Sequence, residues 1–224
     1  MKKINIKGPI ISNSTKEVYD YYGLEATCPA DVVNKLNDSE DDVVLEVNSP
    51  GGLVHMGSEI YTALKSYQGK VTANVVGIAA SAASVIIMGA DEVVMSPTAQ
   101  IMIHKAQFNY VAGNSDALEQ AANALNASDR SICNAYHLKT QISHKDLLEL
   151  MANETFMDAD KAIELGFADR LMFDNKETYT AQVVASIGNG ILPQKLIDDY
   201  YQKETQAVAK LRHELDKDAL WINL

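Results

Sequence analysis

The sequence predicts an α/β fold, in which helices pack on a sheet whose strands alternate with them along the chain. Two buried-strand runs, residues 43–47 and 71–76, each end at a glycine-containing break. A helical segment follows each break: apolar residues recur at helical spacing over 56–67, and residues 79–88 are apolar on all sides. Reactive groups of such folds collect at the turns from strand to helix, so these two breaks are the first places to search for a site.

The same patterns place the other elements. In chain order we predict a strand at residues 4–6, helices from residue 14 and over 30–36, strands at 92–95 and 101–103, a long helix over 115–139, helices over 142–152 and 158–166, and a strand at 168–172. From residue 174 onward polar residues dominate, and residues 191–215 have the pattern of an amphipathic helix. We therefore divide the chain into a domain of residues 1–173 and a mostly helical extension of residues 174–224.

Composition narrows the classes of function. The chain has 224 residues, 47% of them apolar, and a net charge of −11. An acidic protein is repelled by nucleic acids and anionic membranes, so we expect neither as a partner. The N-terminus has no apolar run long enough for a signal peptide, and two cysteines, Cys28 and Cys133, form no disulfide framework or zinc site of the usual spacing. We expect a cytoplasmic protein without a metal or another cofactor.

A serine occupies the second strand-to-helix turn. Ser81 is flanked by Ala80 and Ala82, which are small enough to let a substrate backbone approach its hydroxyl. Hydrolases that use a serine nucleophile expose it on such a turn. A serine at this position could equally be the N-cap of a buried helix, and the segment alone does not separate the two interpretations.

A glycine pair and a histidine are the other candidates. Gly51 and Gly52 follow the first strand, where backbone N–H groups can turn toward an oxyanion, although an ordinary tight turn would have the same sequence. His104 follows the apolar run 101–103 at the edge of the core, and His55, after the glycine pair, is its one serious rival as a base. No HExxH motif occurs, which argues against a zinc peptidase.

The ordered set of motifs resembles one family. N-S-P-G-G, G-x-A-A-S and M-I-H, followed by E-T-F and A-x-E-L-G-F-A-D, match the proteolytic subunit of the Clp protease family segment by segment over about residues 4–172. The resemblance implies the spiral of β-β-α units shared by Clp proteases and crotonases. It also implies a protruding handle at about residues 106–140, which consists of a strand over residues 106–112 and the long helix that follows, and a serine endopeptidase activity.

Several features resemble the Clp-related proteases that phages and prophages encode. They are the short N-terminus, the stretch V-Y-D-Y-Y-G at residues 18–23, the A-S-A-A-S motif at 80–84 and the E-T-F at 154–156. This finer resemblance implies a role in procapsid maturation, with capsid or scaffold protein as the substrate.

The resemblance also implies roles for single residues. Ser81 would be the nucleophile and His104 the general base, while the backbone N–H groups of Gly52 and Ala82 would form the oxyanion hole. The strand that binds substrate by main-chain pairing would involve Gly51, Gln107 and Phe108.

The third member of the triad is left open. The family has an aspartate at the position of Glu154, which we take as the candidate, and Asn153 is an alternative because asparagine orients histidine in other peptidases. We interpret Asp158 as a helix cap, Asp169 as a surface residue, and Ser84 as a packing residue.

The resemblance implies a homo-oligomer, either a heptameric ring or a tetradecamer of two rings. Thr155 replaces the family's inter-ring arginine, which leaves the number of rings open. A Clp ATPase partner is also open, and the short N-terminus leads us to expect independence from ATP.

Two alternative functions use the same fold. The chain could be a crotonase-like acyl-CoA enzyme, although that family places catalytic glutamates near the glycine turn. It could also be a ring-forming assembly protein with a degenerate triad, a hypothesis motivated by Glu154.

Overall fold

A computed structural model describes residues 1–38 and 41–173, so the predicted helical extension of residues 174–224 lies outside the described residues. The strands are β1 (Lys2–Lys7), β2 (Val43–Ser49), β3 (Val71–Ala80), β4 (Glu92–Met95), β5 (Gln100–Ile103), β6 (Thr155–Met157) and β7 (Arg170–Leu171). The helices are α1 (Asn13–Tyr21), α2 (Pro29–Asn37), α3 (Val54–Ser66), α4 (Ala82–Ile87), α5 (Ser115–Thr140), α6 (His144–Ala152) and α7 (Ala159–Glu164). The α/β prediction is confirmed.

The sheet branches at its longest strand. Its main path, in the order β1-β2-β3-β4-β7, is parallel throughout. The first half of β3 pairs with β4, and its last three residues pair with β5 in parallel, with Ala80 opposite Met102. Because both strands run the same way, the residues that follow β3 and β5 emerge side by side at one edge.

The prediction that the strand at residues 71–76 ends at Gly77 is wrong, since this strand, β3, continues to Ala80. Strand β2 has an irregularity between Val47 and Ser49, where the Asn48 amide oxygen accepts a hydrogen bond from the N–H of Ile78. A Cβ atom at Gly77 would lie 2.4 Å from that oxygen. Gly77 therefore makes room for a side chain of the neighbouring strand. The helix predicted from residue 79 correspondingly begins at Ala82.

One apolar core lies between the sheet and its helices. Every residue of α4 is buried, as its all-round apolar pattern predicts. Asp158 caps α7 by accepting a hydrogen bond from the N–H of Lys161 at 2.9 Å, which agrees with its predicted role. Among the described residues, no helix is both long and apolar enough to cross a membrane.

The handle differs from its prediction in one respect. Helix α5 is present, and its five buried residues all lie in its C-terminal half, from Asp129 to Tyr136. The strand predicted at residues 106–112 is irregular chain, because no strand within the described part pairs with it. Sequence patterns also missed β6, three residues that pair antiparallel with β5.

Candidate active site

Ser81 stands on a strained turn between β3 and α4. Its φ of 54° and ψ of −123° lie in a region that residues with a Cβ seldom occupy. Ser81 has the N-cap position of α4, but its side chain makes no capping hydrogen bond. The interpretation as an ordinary helix cap therefore loses its physical basis, since the hydroxyl is directed elsewhere.

That hydroxyl contacts His104. The Ser81 Oγ lies 2.7 Å from the His104 Nε2, and both residues are half-buried. The contact follows from the sheet: the N–H of Ser81 donates to the carbonyl of Met102 at 2.9 Å, which aligns the ends of β3 and β5. Two residues 23 positions apart in sequence thus become neighbours at the ends of adjacent parallel strands.

Gly51 packs against the Ser81 turn, whereas Gly52 packs against the backbone of Ile10. A Cβ atom at Gly51, whose φ is +91°, would lie 2.5 Å from the Ala80 oxygen and 2.6 Å from the Ser81 Cβ. Only glycine fits at so close an approach. Among the described residues, the N–H groups of Gly52 and Ala82 donate no hydrogen bond, which leaves them free to bind an oxyanion.

The third triad position stays a prediction. Pairing of β5 with β6 sets Ile103 opposite Thr155, so one further step of this register would bring Glu154 opposite His104. Glu154 has a φ of 47°, is exposed, and makes no side-chain hydrogen bond to His104 in the described structure. Asn153 is the C-cap of α6 and is also exposed.

The two other carboxylates that we considered are engaged elsewhere. Asp158 caps α7. Asp169, although exposed, is more than a surface residue: it accepts hydrogen bonds from the N–H of Val93 and from the Lys139 ammonium, and so joins the strand β4 to the end of α5.

A cleft of about 950 Å³ adjoins the Ser81–His104 pair. Gly51, Gln107 and Phe108 line it, as does the alternative base His55, which is exposed and forms no hydrogen bond with Ser81 in the described structure. Gly51 already donates its N–H to the Ser49 hydroxyl and accepts at its carbonyl from Ile10. The backbone N–H and carbonyl of Gly51 are therefore already used in hydrogen bonds that stabilise the turn. Gln107 and Phe108 are exposed beside the cleft.

Three residues, Ser84, Tyr136 and Asp129, make hydrogen bonds that hold this site in place and that the sequence did not predict. Ser84 is buried as predicted, but it also hydrogen-bonds the Ser81 carbonyl and the hydroxyl of Tyr136. Asp129 accepts a hydrogen bond from the N–H of Ala106. An acidic residue in the apolar stripe of a long helix was the available signal for Asp129, and no comparable signal marked Ser84.

Other ionisable groups show no metal-binding arrangement. Within residues 1–38 and 41–173, no three His, Cys, Asp or Glu side chains are grouped to hold a metal ion. Burial raises the pKa of both thiols, Cys28 and Cys133, and neither residue lines the cleft beside Ser81. Raised thiol pKa values disfavour the reactive thiolate.

Comparison with known proteins shows which sequences this chain is similar to. The family model for Clp protease matches residues 26–175, which is more than half of the chain. An ATP-dependent Clp protease proteolytic subunit from Deinococcus radiodurans is 29% identical over 140 residues, covering 62% of this chain and 68% of that protein. Proteins of the same name from Chaetosphaeridium globosum (29% identical, 62% and 70% covered) and Sorghum bicolor (29% identical, 60% and 63% covered) also match.

These comparisons give no support to the acyl-CoA or assembly-protein alternatives. The matched region contains the strained Ser81 turn, the adjacent His104 and the glycine pair. Peptide-bond hydrolysis is the activity that this family performs. The chain belongs to the Clp protease family.

Proposed function

We propose that this protein is a serine endopeptidase in which Ser81 is the nucleophile and His104 its general base. The observation that carries the proposal is the 2.7 Å contact between the Ser81 Oγ and the His104 Nε2 at a strained strand-to-helix turn. A hydroxyl is a weak nucleophile by itself and becomes effective when an adjacent base accepts its proton. The cleft beside the pair supplies space for a polypeptide.

The reaction follows from these positions. As the Ser81 Oγ bonds to the substrate carbonyl carbon, its proton moves to the His104 Nε2, and the carbonyl oxygen becomes an oxyanion. When the intermediate collapses, the C–N bond breaks and His104 gives the proton to the leaving amine. Water then hydrolyses the acyl ester, with His104 again accepting and returning a proton.

The free N–H groups of Gly52 and Ala82 are the proposed oxyanion hole. A Cβ atom at Gly51 would lie 2.9 Å from the Ala82 nitrogen, so the glycine turn and the Ser81 turn are in close contact. Donors fixed in place before the reaction stabilise developing charge without reorganisation, and one such donor is typically worth about 10²–10³ in rate.

Glu154 remains our candidate for the group that orients His104. Its support is the register of β5 and β6 and its positive φ, which is uncommon for a glutamate. A carboxylate hydrogen-bonded to the Nδ1 N–H would keep Nε2 free to accept the proton of Ser81.

The substrate class is polypeptide. Apolar side chains line much of the cleft, including those of Ile11, Val85, Met102, Leu125 and Ile132. Gln107 and Phe108 lie on irregular chain whose backbone is unpaired by any described strand, so it could add a substrate strand through main-chain hydrogen bonds. We propose that the protein works as a homo-oligomeric ring, in which the same segment could pair with a neighbour.

A narrower proposal concerns the biological substrate. The motifs at residues 18–23, 80–84 and 154–156 resemble phage-encoded relatives, which supports cleavage of capsid or scaffold protein during procapsid maturation. We propose that this cleavage requires no ATPase. Procapsids incubated with the protein should lose full-length scaffold without ATP, whereas Ser81→Ala should leave it intact. Scaffold that stays intact, or cleavage that needs an unfoldase and nucleotide, would contradict this narrower proposal.

A fluorophosphonate probe tests the chemistry directly. The wild-type protein should be labelled at Ser81, as mapped by mass spectrometry, and Ser81→Ala should not be labelled. Ser131→Ala, at an exposed serine of α5, is the matched control and should be labelled at the normal rate. Equal labelling of wild type and Ser81→Ala would refute the assignment of the nucleophile.

A further inference from the structure

Two buried hydroxyl groups connect α5 to the nucleophile. The Tyr136 hydroxyl lies 2.7 Å from the Ser84 Oγ, which in turn lies 2.6 Å from the carbonyl oxygen of Ser81. Ser84 has a single hydroxyl proton, and the Ser81 carbonyl can only accept, so Ser84 donates to Ser81. Tyr136 must then donate to Ser84. Burial raises the pKa of the Tyr136 phenol, which keeps this donor protonated.

The acceptor of this chain is the strained residue itself. The Ser81 carbonyl also accepts hydrogen bonds from the N–H groups of Ser84 at 3.0 Å and Val85 at 3.3 Å. A backbone with φ of 54° and ψ of −123° persists only where the surrounding structure holds it. The hydrogen bonds from Tyr136 to Ser84 and from Ser84 to the Ser81 carbonyl add a buried side-chain restraint to the two backbone hydrogen bonds.

A second contact connects the same face of α5 to the histidine. Asp129 precedes Tyr136 by two helical turns, so both residues project from one side of α5. The Asp129 Oδ1 accepts a hydrogen bond from the N–H of Ala106 at 2.7 Å, two residues after His104. Asp129 is only 5% exposed, and it is the one Asp, Glu, Lys, Arg or His side chain among the described residues that is buried.

A buried carboxylate is costly unless it is paired, so its position calls for an explanation. The chain after β5 has no strand partner in the described structure. The hydrogen bond from Ala106 to Asp129 holds the beginning of this segment against α5. Charge-assisted bonds of this kind are short and geometrically demanding.

We propose that Tyr136 and Asp129 are positioning residues of the active site. Tyr136 holds the Ser81 turn in place through Ser84. Asp129, on the same face of α5, holds the chain that follows His104 in place through Ala106. A single helix thereby restrains the separation of the nucleophile from its base, in addition to the pairing of β3 with β5 that brings the two residues together. This inference rests on the proposed serine mechanism, since it assigns a role relative to Ser81 and His104.

The test for Tyr136 compares two variants that each lose one tyrosine hydroxyl. Tyr136→Phe removes the donor to Ser84. Tyr67→Phe removes a donor to the Asp41 carbonyl, at 2.7 Å and outside the cleft, and is the matched control. For Tyr136→Phe we expect kcat for a fluorogenic peptide and the rate of fluorophosphonate labelling to fall about 5- to 20-fold, with KM within about twofold, because a misplacement of about 1 Å costs about 100-fold.

Both tyrosine variants should lower the melting temperature, and only Tyr136→Phe should lower kcat. An unchanged kcat in Tyr136→Phe would overturn the proposal, as would an equal loss in Tyr67→Phe, because either result reduces the contact to fold stability.

The test for Asp129 uses a conservative variant. Asp129→Asn keeps an oxygen acceptor for the Ala106 N–H and should retain kcat within about threefold, while Asp129→Ala should lose about 10-fold or more. Asp31→Ala is the matched control, since the Asp31 carboxylate also accepts one backbone N–H, that of Cys28 in the cap of α2. Equal rates for Asp129→Asn and Asp129→Ala would overturn the role of the hydrogen bond.

A Ser81→Ala arm separates failure of this inference from failure of the proposed function. If Ser81→Ala is inert and both positioning variants keep full activity, the inference alone fails. If Ser81→Ala keeps wild-type labelling, the proposed function fails and the inference with it. Should Asp129→Ala not fold, the Tyr136 comparison decides.

Discussion

Gly51→Ala is the substitution whose effect the structure specifies most sharply. The new Cβ atom would lie 2.5 Å from the Ala80 oxygen, 2.6 Å from the Ser81 Cβ and 2.9 Å from the Ala82 nitrogen. Real Cβ atoms essentially never come within 3.0 Å of such neighbours, so the two turns must separate by at least 0.5 Å, from 2.5 to 3.0 Å. Two of the three displaced atoms belong to Ser81 and to the proposed oxyanion donor.

This displacement sets the expected magnitude. A misplacement of about 1 Å at a reacting centre costs about 100-fold in rate, so we expect kcat to fall about 10- to 100-fold. The φ of +91° adds backbone strain, and the expected loss of stability is about 1–3 kcal/mol. The assays are peptide hydrolysis, fluorophosphonate labelling and thermal melting.

Gly23→Ala provides the control. Gly23 also has a positive φ, +65°, but a Cβ atom there has no neighbour within 4 Å. The control should lose roughly 1 kcal/mol of stability and keep full activity. Wild-type activity in Gly51→Ala, or an equal activity loss in Gly23→Ala, would refute the argument that close packing of Gly51 on the Ser81 turn shapes the site.

Further predictions concern the triad and an ion pair. His104→Ala should reduce kcat at least about 10³-fold, and adding Ser81→Ala should cost little more, because the two act as one unit; additive losses would contradict the shared mechanism. Glu154→Gln should lower kcat about 10-fold or more with KM unchanged if this residue orients His104, and an unchanged kcat would remove it from the triad. Hydrogen bonds from Arg170, first, and then from Lys70 hold the pKa of Glu92 below its ordinary value of 4.5. The ionised Glu92 carboxylate therefore stabilises the fold fully above about pH 4.5, and this stabilisation is lost as the pH falls through the lowered pKa. The melting temperatures of wild type and Glu92→Gln should thus become equal at a pH below that pKa.

Periodicity and turn chemistry determined most of the fold. The alternation of buried runs with helical spacing predicted a sheet with helices packed on it, and the apolar pattern of residues 79–88 predicted the buried helix α4. These signals are local, so they can be recognised in the sequence without knowledge of distant contacts. Strand β6 was missed and the strand at 106–112 is absent. These segments are short or lack a partner, and only pairing decides whether such segments become strands.

Motif order similarly pointed to Ser81, His104 and the glycine pair, since each stands at a break that a sequence shows directly. The sequence could not show whether these residues lie close to one another in space. The branch of the sheet at β3 brings the ends of β3 and β5 together, and the placement of Tyr136 and Asp129 on one face of α5 connects that helix to both. Contacts between residues 23 and more positions apart depend on how whole elements pack, and no local pattern encodes that.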